Sequence, residues 1–302
     1  MIKYVMPLLA ATALAVATAT PATAAAPAPL GPGDRYVALG DSYASGSGVG
    51  PLADPACLRS TQDYPALLAR RLRLQLTDVT CSAATIDNMV DTPQQTLGGT
   101  TVPPQVDAVT PDTRLVTITA GGNDVGLFLD MVRFSCSHDP ATVAAAPHLP
   151  GFVRFVFCQP ADTGATTAAL VGVETELVRL VGTARSKAPA AQIVLTDYLD
   201  VVPLLGSACP HMPLTGDELT FLRRTQVQLS VAVARAALRT NSRFVPAALL
   251  GAPHDACSAA PWTKRFVFGD YAQVGLDAYH PDAQGNAAIA DAVAVATKAP
   301  LG

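Results

Sequence analysis

The chain is poor in charged residues, and neither sign dominates. Aspartate, glutamate, lysine and arginine make up 15% of its 302 residues, against about 25% in ordinary soluble proteins. The formal net charge is only −4. Proteins that bind nucleic acids usually carry a strongly basic surface, so this balance argues against a nucleic-acid partner.

Motifs that hold metals and nucleotides are missing as well. The cysteines form no CxxC pair and no HExxH pattern occurs, although such spacings are typical of zinc sites. The glycine-rich stretch at 46–50 lacks both the GxGxxG spacing and the lysine of a phosphate-binding loop. We therefore expect neither a metal ion nor an organic cofactor. The histidines without regular spacing are His138, His148, His211 and His254.

The apolar run at the N-terminus is shorter than the about 20 residues that a membrane-spanning helix needs. It extends from Tyr4 to about Val16, follows Lys3, and is followed by small residues up to Ala24. This order is typical of a secretory signal peptide, and a membrane anchor is the alternative. We expect a signal peptide at 1–24, a lead-in segment at 25–34, and one extracellular domain at 35–302.

Six cysteines are an even number, which in an exported chain favours disulfides over free thiols. Six cysteines allow 15 pairings, and the sequence does not choose strictly among them. Short loops favour three bridges, each contributing roughly 3 kcal/mol in the chain-entropy model. The expected pairs are Cys57 with Cys81, Cys136 with Cys158, and Cys209 with Cys257.

Apolar runs alternate with helical stripes along the chain. Strands are expected at 36–39, 79–81, 114–119, 192–196 and 244–245, and helices at 63–76, 166–187, 217–238 and 284–297. The alternation predicts an α/β fold, a three-layer α/β/α sandwich with a central, mostly parallel sheet. Two stretches rich in proline, glycine and cysteine interrupt it, at 136–161 and 198–216, and we expect them to be disulfide-pinned excursions over the site.

Two polar groups follow strands of the predicted sheet. Ser42 comes just after the strand at 36–39, and Asn123 comes just after the strand at 114–119. Sites in open α/β sheets form at the carboxyl ends of strands, so both would lie at one edge. The Asn123 amide would suit a developing oxyanion. The alternatives are ordinary turns, with Asp124 capping a helix.

A third segment supplies an imidazole and a carboxylate. Asp277 precedes His280 by three residues, and within a turn this spacing lets the carboxylate reach one ring nitrogen while the other faces outward. With Ser42 the pair would supply the nucleophile, base and orienting acid of acyl transfer. The alternative is a surface turn in which Asp277 and His280 only cap one another.

Four blocks in order, GDSY at 40–43, CSAA at 81–84, GGND at 121–124 and DAYHP at 277–281, resemble those of the SGNH, or GDSL, hydrolases. The resemblance is strongest to secreted lipases and esterases of actinobacteria. It implies a flavodoxin-like fold with Ser42 as nucleophile, His280 as base and Asp277 as the orienting acid. Some members of the family let a backbone carbonyl share or replace the role of that acid.

The resemblance also implies an oxyanion hole made of the Ser42 amide, the residue at 83 and the Asn123 side chain. The family usually has glycine where this chain has Ala83, whose backbone N–H still donates if its backbone angles permit. The G-x-S-x-G elbow of α/β-hydrolases is absent, because Ala44 stands at the last glycine position.

These observations predict a secreted, monomeric carboxylic-ester hydrolase that uses an acyl-enzyme intermediate. Lipid-like esters are the leading substrate class, with transient contact at a lipid surface. Aromatic residues beside the second cysteine pair would receive the alkyl chain, or form a satellite core: Phe134, Phe152 and Phe155. The alternatives are an acyltransferase, a polysaccharide acetyl esterase, and an envelope-binding protein without turnover.

Overall fold

The computed structural model describes residues 28–96, 98–139, 158–266 and 277–298. At its centre lies a sheet of five strands, all parallel. In chain order they are β1 (Arg35–Gly40), β2 (Gln75–Asp78), β3 (Thr113–Thr119), β4 (Gln192–Thr196) and β5 (Arg243–Val245). Across the sheet the order is β2-β1-β3-β4-β5. The order reverses between β1 and β3, which opens a crevice at their carboxyl ends.

Helices cover both faces of the sheet. They are α1 (Ser42–Ser45), α2 (Tyr64–Leu72), α3 (Ile86–Val90), α4 (Leu127–His138), α5 (Thr163–Lys187), α6 (Gly216–Arg239), α7 (Ala247–Gly251) and α8 (Ala283–Ala296). Helices α2 and α8 pack against each other, as do α5 and α6. The central strands are buried almost throughout, as expected when helices cover both faces of a parallel sheet. The predicted three-layer α/β/α fold is confirmed.

The prediction was wrong over residues 73–81. Helix α2 ends at Leu72, and Arg73 caps it in the left-handed conformation, with φ of 55°. The chain then enters β2 at Gln75, which pairs with Arg35 of β1. Because the leucines at 74 and 76 continue the spacing of the helix, periodicity alone extended the helix and placed the next strand four residues too late.

The structure contains three disulfides, and the bonded pairs are Cys57–Cys81, Cys136–Cys158 and Cys209–Cys257. These are the pairs that short loops favoured. The Cys209–Cys257 disulfide links the excursion at 198–215 to the segment after α7. This excursion has neither helix nor strand. Most of the other expected excursion, 140–157, lies outside the described residues. Among the described helices, none is long and apolar enough to cross a membrane.

Candidate active site

Ser42 stands at the carboxyl end of β1, where the strand turns into α1. The carboxylate of Asp41 caps this helix by accepting a hydrogen bond from the Tyr43 N–H. Gln105 fixes the end of the strand, because its side-chain amide accepts from Gly40 N at 2.7 Å and donates to Gly40 O at 2.9 Å. The hydroxyl of Ser42 therefore projects from a rigid corner of the sheet.

The His280 ring meets this hydroxyl directly. Its Nε2 lies 2.7 Å from Ser42 Oγ, and its Nδ1 lies 2.9 Å from the carbonyl oxygen of Ala278. A carbonyl only accepts hydrogen bonds, so Nδ1 carries the hydrogen and Nε2 keeps its lone pair for the serine proton. The ring is buried, and burial lowers the pKa of His280 to about 4. The imidazole is thus neutral, as a general base must be, at neutral and mildly acidic pH.

Asp277 does not occupy the place expected of it. The oxygen at Nδ1 is the Ala278 carbonyl, while Asp277 Oδ2 lies 3.2 Å from the Lys264 ammonium. The backbone explains the exchange, since Tyr279 adopts a left-handed φ of 66° and this tight turn brings the carbonyl of residue 278 under the ring. The carboxylate still favours the imidazolium through its charge, raising the pKa of His280 against the larger effect of burial.

Backbone donors face the same crevice. Ala83 is exposed and has a φ of 65°, so alanine here adopts the left-handed conformation that usually favours glycine. Within the described residues, the N–H groups of Ser42 and Ala83 have no hydrogen-bond acceptor. Unpaired donors of this kind are suited to an oxyanion.

The Asn123 side chain belongs to the same rim. Its Nδ2 donates to Ala84 O at 2.9 Å, and an amide nitrogen carries a second hydrogen. The neighbouring Asp124 accepts from Ile86 N at 3.0 Å. The turn after β3 thereby holds the turn that contains Ala83. Of this contact, the sequence indicated only that Asp124 could cap a helix.

An aromatic layer lies beneath the histidine. Tyr43 and Phe128 have ring centroids 5.3 and 5.8 Å from the His280 ring. Tyr198 donates to Asp41 Oδ2 at 2.6 Å and accepts from Gly122 N at 2.7 Å, linking the strand ends of β1, β3 and β4. The Tyr43 hydroxyl donates to Tyr279 O. No local sequence signal marks these contacts, because most of their partners are more than 70 residues apart.

Of the three aromatics expected to form an acyl pocket, Phe152 and Phe155 lie outside the described residues. Phe134 packs edge-on against Phe221 of α6, with ring centroids 6.3 Å apart. Phe128, the second residue of α4, was not among the expected aromatics, yet its ring centroid lies 5.8 Å from that of His280. Among the described residues, no group of three or more histidine, cysteine or acidic side chains is placed to hold a metal ion.

Comparisons with known proteins agree with this geometry. Residues 38–288 match the GDSL-like lipase/acylhydrolase family. The chain is 36% identical to "Lipase 2" of Streptomyces coelicolor over 268 residues, which is 85% of this chain and 83% of that protein.

Two solved structures share the fold. The extracellular lipase of Streptomyces rimosus superposes with a TM-score of 0.67 and 26% identity, covering 87% of this chain and 99% of that one. Phospholipase A1 of Streptomyces albidoflavus gives a TM-score of 0.68 and 25% identity, covering 88% of this chain and all of that one. Since the family match spans most of its length, the chain belongs to the GDSL-like lipase/acylhydrolase family and is a serine-type carboxylic ester hydrolase.

Proposed function

We propose that this protein is a secreted esterase or lipase that cleaves lipid-like esters through a covalent intermediate on Ser42. The observation that carries the proposal is the relay from the serine hydroxyl through the imidazole to a carbonyl, with 2.7 Å at Nε2 and 2.9 Å at Nδ1. The left-handed Ala83 and the Asn123 amide supply donors beside it.

In the proposed reaction, His280 Nε2 takes the proton of the Ser42 hydroxyl as its oxygen attacks the ester carbonyl. The oxyanion accepts from the N–H groups of Ser42 and Ala83 and from the Asn123 amide, and the proton then passes to the departing alcohol. Water, deprotonated by the same nitrogen, then attacks the acyl carbonyl, and the imidazolium returns the proton to Ser42 Oγ as the bond from serine to the acyl group breaks and the acid leaves. The Ala278 carbonyl accepts the Nδ1–H throughout and so stabilises the imidazolium formed in each half of the reaction.

Secretion is part of the proposal. The N-terminal segment at 1–24 has the anatomy of a signal peptide, and the three disulfides suit an oxidising compartment. The related S. rimosus enzyme is described as extracellular. Mass determination of the mature N-terminus would test cleavage near Ala24.

The lipid-like substrate class is supported by apolar side chains near the base and at the rim. Phe128 adjoins the His280 ring, and Leu204 and Leu205 are exposed on the loop that follows β4. One of the two solved relatives is a phospholipase A1. Turnover of esters of graded acyl length would test this class, with rates rising toward longer chains.

The test of mechanism is Ser42→Ala. Removing the nucleophile of a serine hydrolase lowers kcat by about 10⁴-fold or more, while the loss of one hydroxyl should leave thermal unfolding nearly unchanged. Ser60→Ala is the matched control, because Ser60 is also buried but its hydroxyl, within the described residues, bonds only to the backbone N–H of Gln62. Ester cleavage near the parent rate by Ser42→Ala would reject the proposed mechanism.

A further inference from the structure

The Asp277 carboxylate, displaced from the histidine ring, has another partner. Lys264 places its ammonium between Asp277 Oδ2, at 3.2 Å, and the carbonyl oxygen of Gly48. Gly48 lies in the loop that follows α1, six residues after Ser42, and Asp277 lies three residues before His280. One side chain thus contacts both the segment that carries the nucleophile and the segment that carries the base.

The backbone of Lys264 is engaged as well. Its N–H donates to His280 O at 2.8 Å, and its carbonyl accepts from Tyr279 N at 2.9 Å. The neighbouring Thr263 forms an antiparallel bridge with Pro281. The backbone of Lys264 is therefore bound to the histidine segment, residues 277–281. The Lys264 ammonium reaches across to the serine segment, residues 42–48.

The geometry at Gly48 shows how closely the segments that carry Ser42 and His280 approach each other. Gly48 has a left-handed φ of 80°, and a Cβ there would lie 2.5 Å from Lys264 Nζ and 2.6 Å from Asp277 Cγ. A larger residue at 48 would therefore have to displace the Lys264 and Asp277 side chains from their present positions. Glycine at 48 thus lets the loop approach the ion pair closely enough for its carbonyl to accept from Lys264.

We propose that Lys264 and Asp277 are positioning residues that fasten the segment carrying His280 to the segment carrying Ser42, and that Asp277 acts on catalysis through Lys264. The inference rests on the proposed role of Ser42 and His280. In place of the expected hydrogen bond from Asp277 to the imidazole, an ion pair between Asp277 and Lys264 keeps the 2.7 Å contact between Ser42 Oγ and His280 Nε2.

The pair also predicts a distinctive pH dependence. Asp277 raises the pKa of His280, and the Lys264 cation lowers it. Among the described residues, the titratable side chain whose ring packs against the imidazole is Tyr43, with ring centroids 5.3 Å apart. Tyr198 packs against Tyr43 in turn, and the carboxyls of Asp41 and Asp200 act on Tyr43. Removing the lysine should therefore move the acid limb of kcat/KM to higher pH, and removing the aspartate charge should move it to lower pH.

The experiment compares Lys264→Met, Asp277→Asn and the double variant with the parent on one soluble ester. Misplacing reacting groups by about 1 Å costs up to about 100-fold, so each single variant should lose about 10- to 100-fold in kcat with KM little changed. The double variant should lose no more than either single one, and its acid limb should return toward that of the parent. Lys264→Arg, which keeps the cation, should recover part of the loss.

Other results would overturn the proposal. A loss of about 10⁴-fold in Asp277→Asn beside a near-normal Lys264→Met would make Asp277 the orienting acid of a triad. Multiplying losses in the double variant, or no loss in either single one, would show that the pair does not act as a unit. Should Lys264→Met fail to fold, the size of the Asp277→Asn loss decides alone: a loss of about 10- to 100-fold supports the proposal, and one of about 10⁴-fold rejects it.

Parent enzyme and Ser42→Ala are assayed in parallel. If the parent does not cleave the ester, or if Ser42→Ala still cleaves it, the proposed function itself is rejected. Those outcomes are separate from the comparison of the Lys264 and Asp277 variants.

Discussion

At the scale of single residues, the oxyanion donors depend on backbone conformation. Ala83 keeps its N–H free by adopting a φ of 65°, a conformation that costs an L-residue about 1 kcal/mol. The turn is held from outside by Asn123 at Ala84 O and by Gln94, whose amide donates to Ser82 O at 2.7 Å. The alanine is thus strained locally and retained by its neighbours.

Ala83→Gly should relieve this strain. Glycine adopts positive φ without penalty but is more flexible in the unfolded chain, so we expect stability to rise by no more than about 1 kcal/mol. Turnover should stay near that of the parent, because the proposed donor is a backbone N–H that glycine also carries. Thermal unfolding and kcat on a soluble ester measure the two effects.

The adjacent Ala84 provides the control. It is fully buried and does not have a positive φ, so Ala84→Gly should lower stability by about 1 kcal/mol, as glycine normally does. If both glycine variants destabilise the protein equally, the left-handed strain at position 83 is not real. A large loss of turnover in Ala83→Gly would mean that the methyl group itself contributes to the site.

At the scale of elements, the sequence predicted those with one dominant pattern. β4 at Gln192–Thr196 was predicted to the residue, and α6 and α8 to within one. The sequence predicted no helix at α3, α4 or α7, and it misplaced β2, where helical and strand patterns overlap. The register of β2 is set by its pairing with β1, which no local window contains.

The connection from α2 to β2 also brings two buried carboxyls together. Asp63 caps α2, accepting from Ala66 N at 2.8 Å through Oδ1, while its Oδ2 is buried with no partner among the described residues. Asp78 ends β2 and accepts from both donors of Thr80. Burial and the neighbouring Asp78 raise the pKa of Asp63 to about 9. At neutral pH Asp63 is therefore protonated, and the two carboxyls together carry a single negative charge.

Asp63→Asn should stabilise the protein at alkaline pH. The folded pKa of about 9 lies above the unfolded value of about 3.9, so the folded parent binds more protons and its stability falls as pH rises between these values. Asparagine keeps the capping oxygen and cannot ionise. We expect a gain of at least about 1 kcal/mol at pH 8, the equivalent of one pKa unit, measured by denaturant unfolding from pH 5 to 9.

Asp162 is the matched control for this variant. It caps α5 in the same way, accepting from Ala165 N at 2.9 Å, but it is exposed. Asp162→Asn should therefore leave the pH dependence of stability unchanged. An unaltered slope in Asp63→Asn as well would show that the buried pair carries no proton in the folded state.

At the scale of the whole molecule, the topology brings the site together. The reversal of strand order between β1 and β3 sets Ser42 beside Asn123, and α8 fixes the end of the histidine segment. The four sequence blocks could be found from the sequence because each is local. The contacts of Lys264 and Tyr198, and the carbonyl of Ala278 at the ring, could not, because they depend on how distant segments meet.

The same rim carries an exposed apolar tip. Leu205 is 89% exposed in the loop after β4, which begins at the carboxyl edge of the sheet. Arg223 of α6 braces this loop by donating to Pro203 O and Gly206 O, and the Cys209–Cys257 bridge closes it. Under the proposed function, a leucine held outward by such contacts would enter a lipid surface while the substrate approaches Ser42.

Leu205→Ser should therefore slow cleavage of an emulsified long-chain triacylglycerol but not of a dissolved short-chain ester. Full burial of a leucine stabilises by about 1.5–3 kcal/mol, and 1.4 kcal/mol is about tenfold in affinity, so we expect roughly tenfold weaker binding to the emulsion. Leu238→Ser is the matched control, because Leu238 is 82% exposed near the other end of α6, at the amino edge of the sheet. An equal loss in both variants, or on both substrates, would show that Leu205 does not bind the lipid surface.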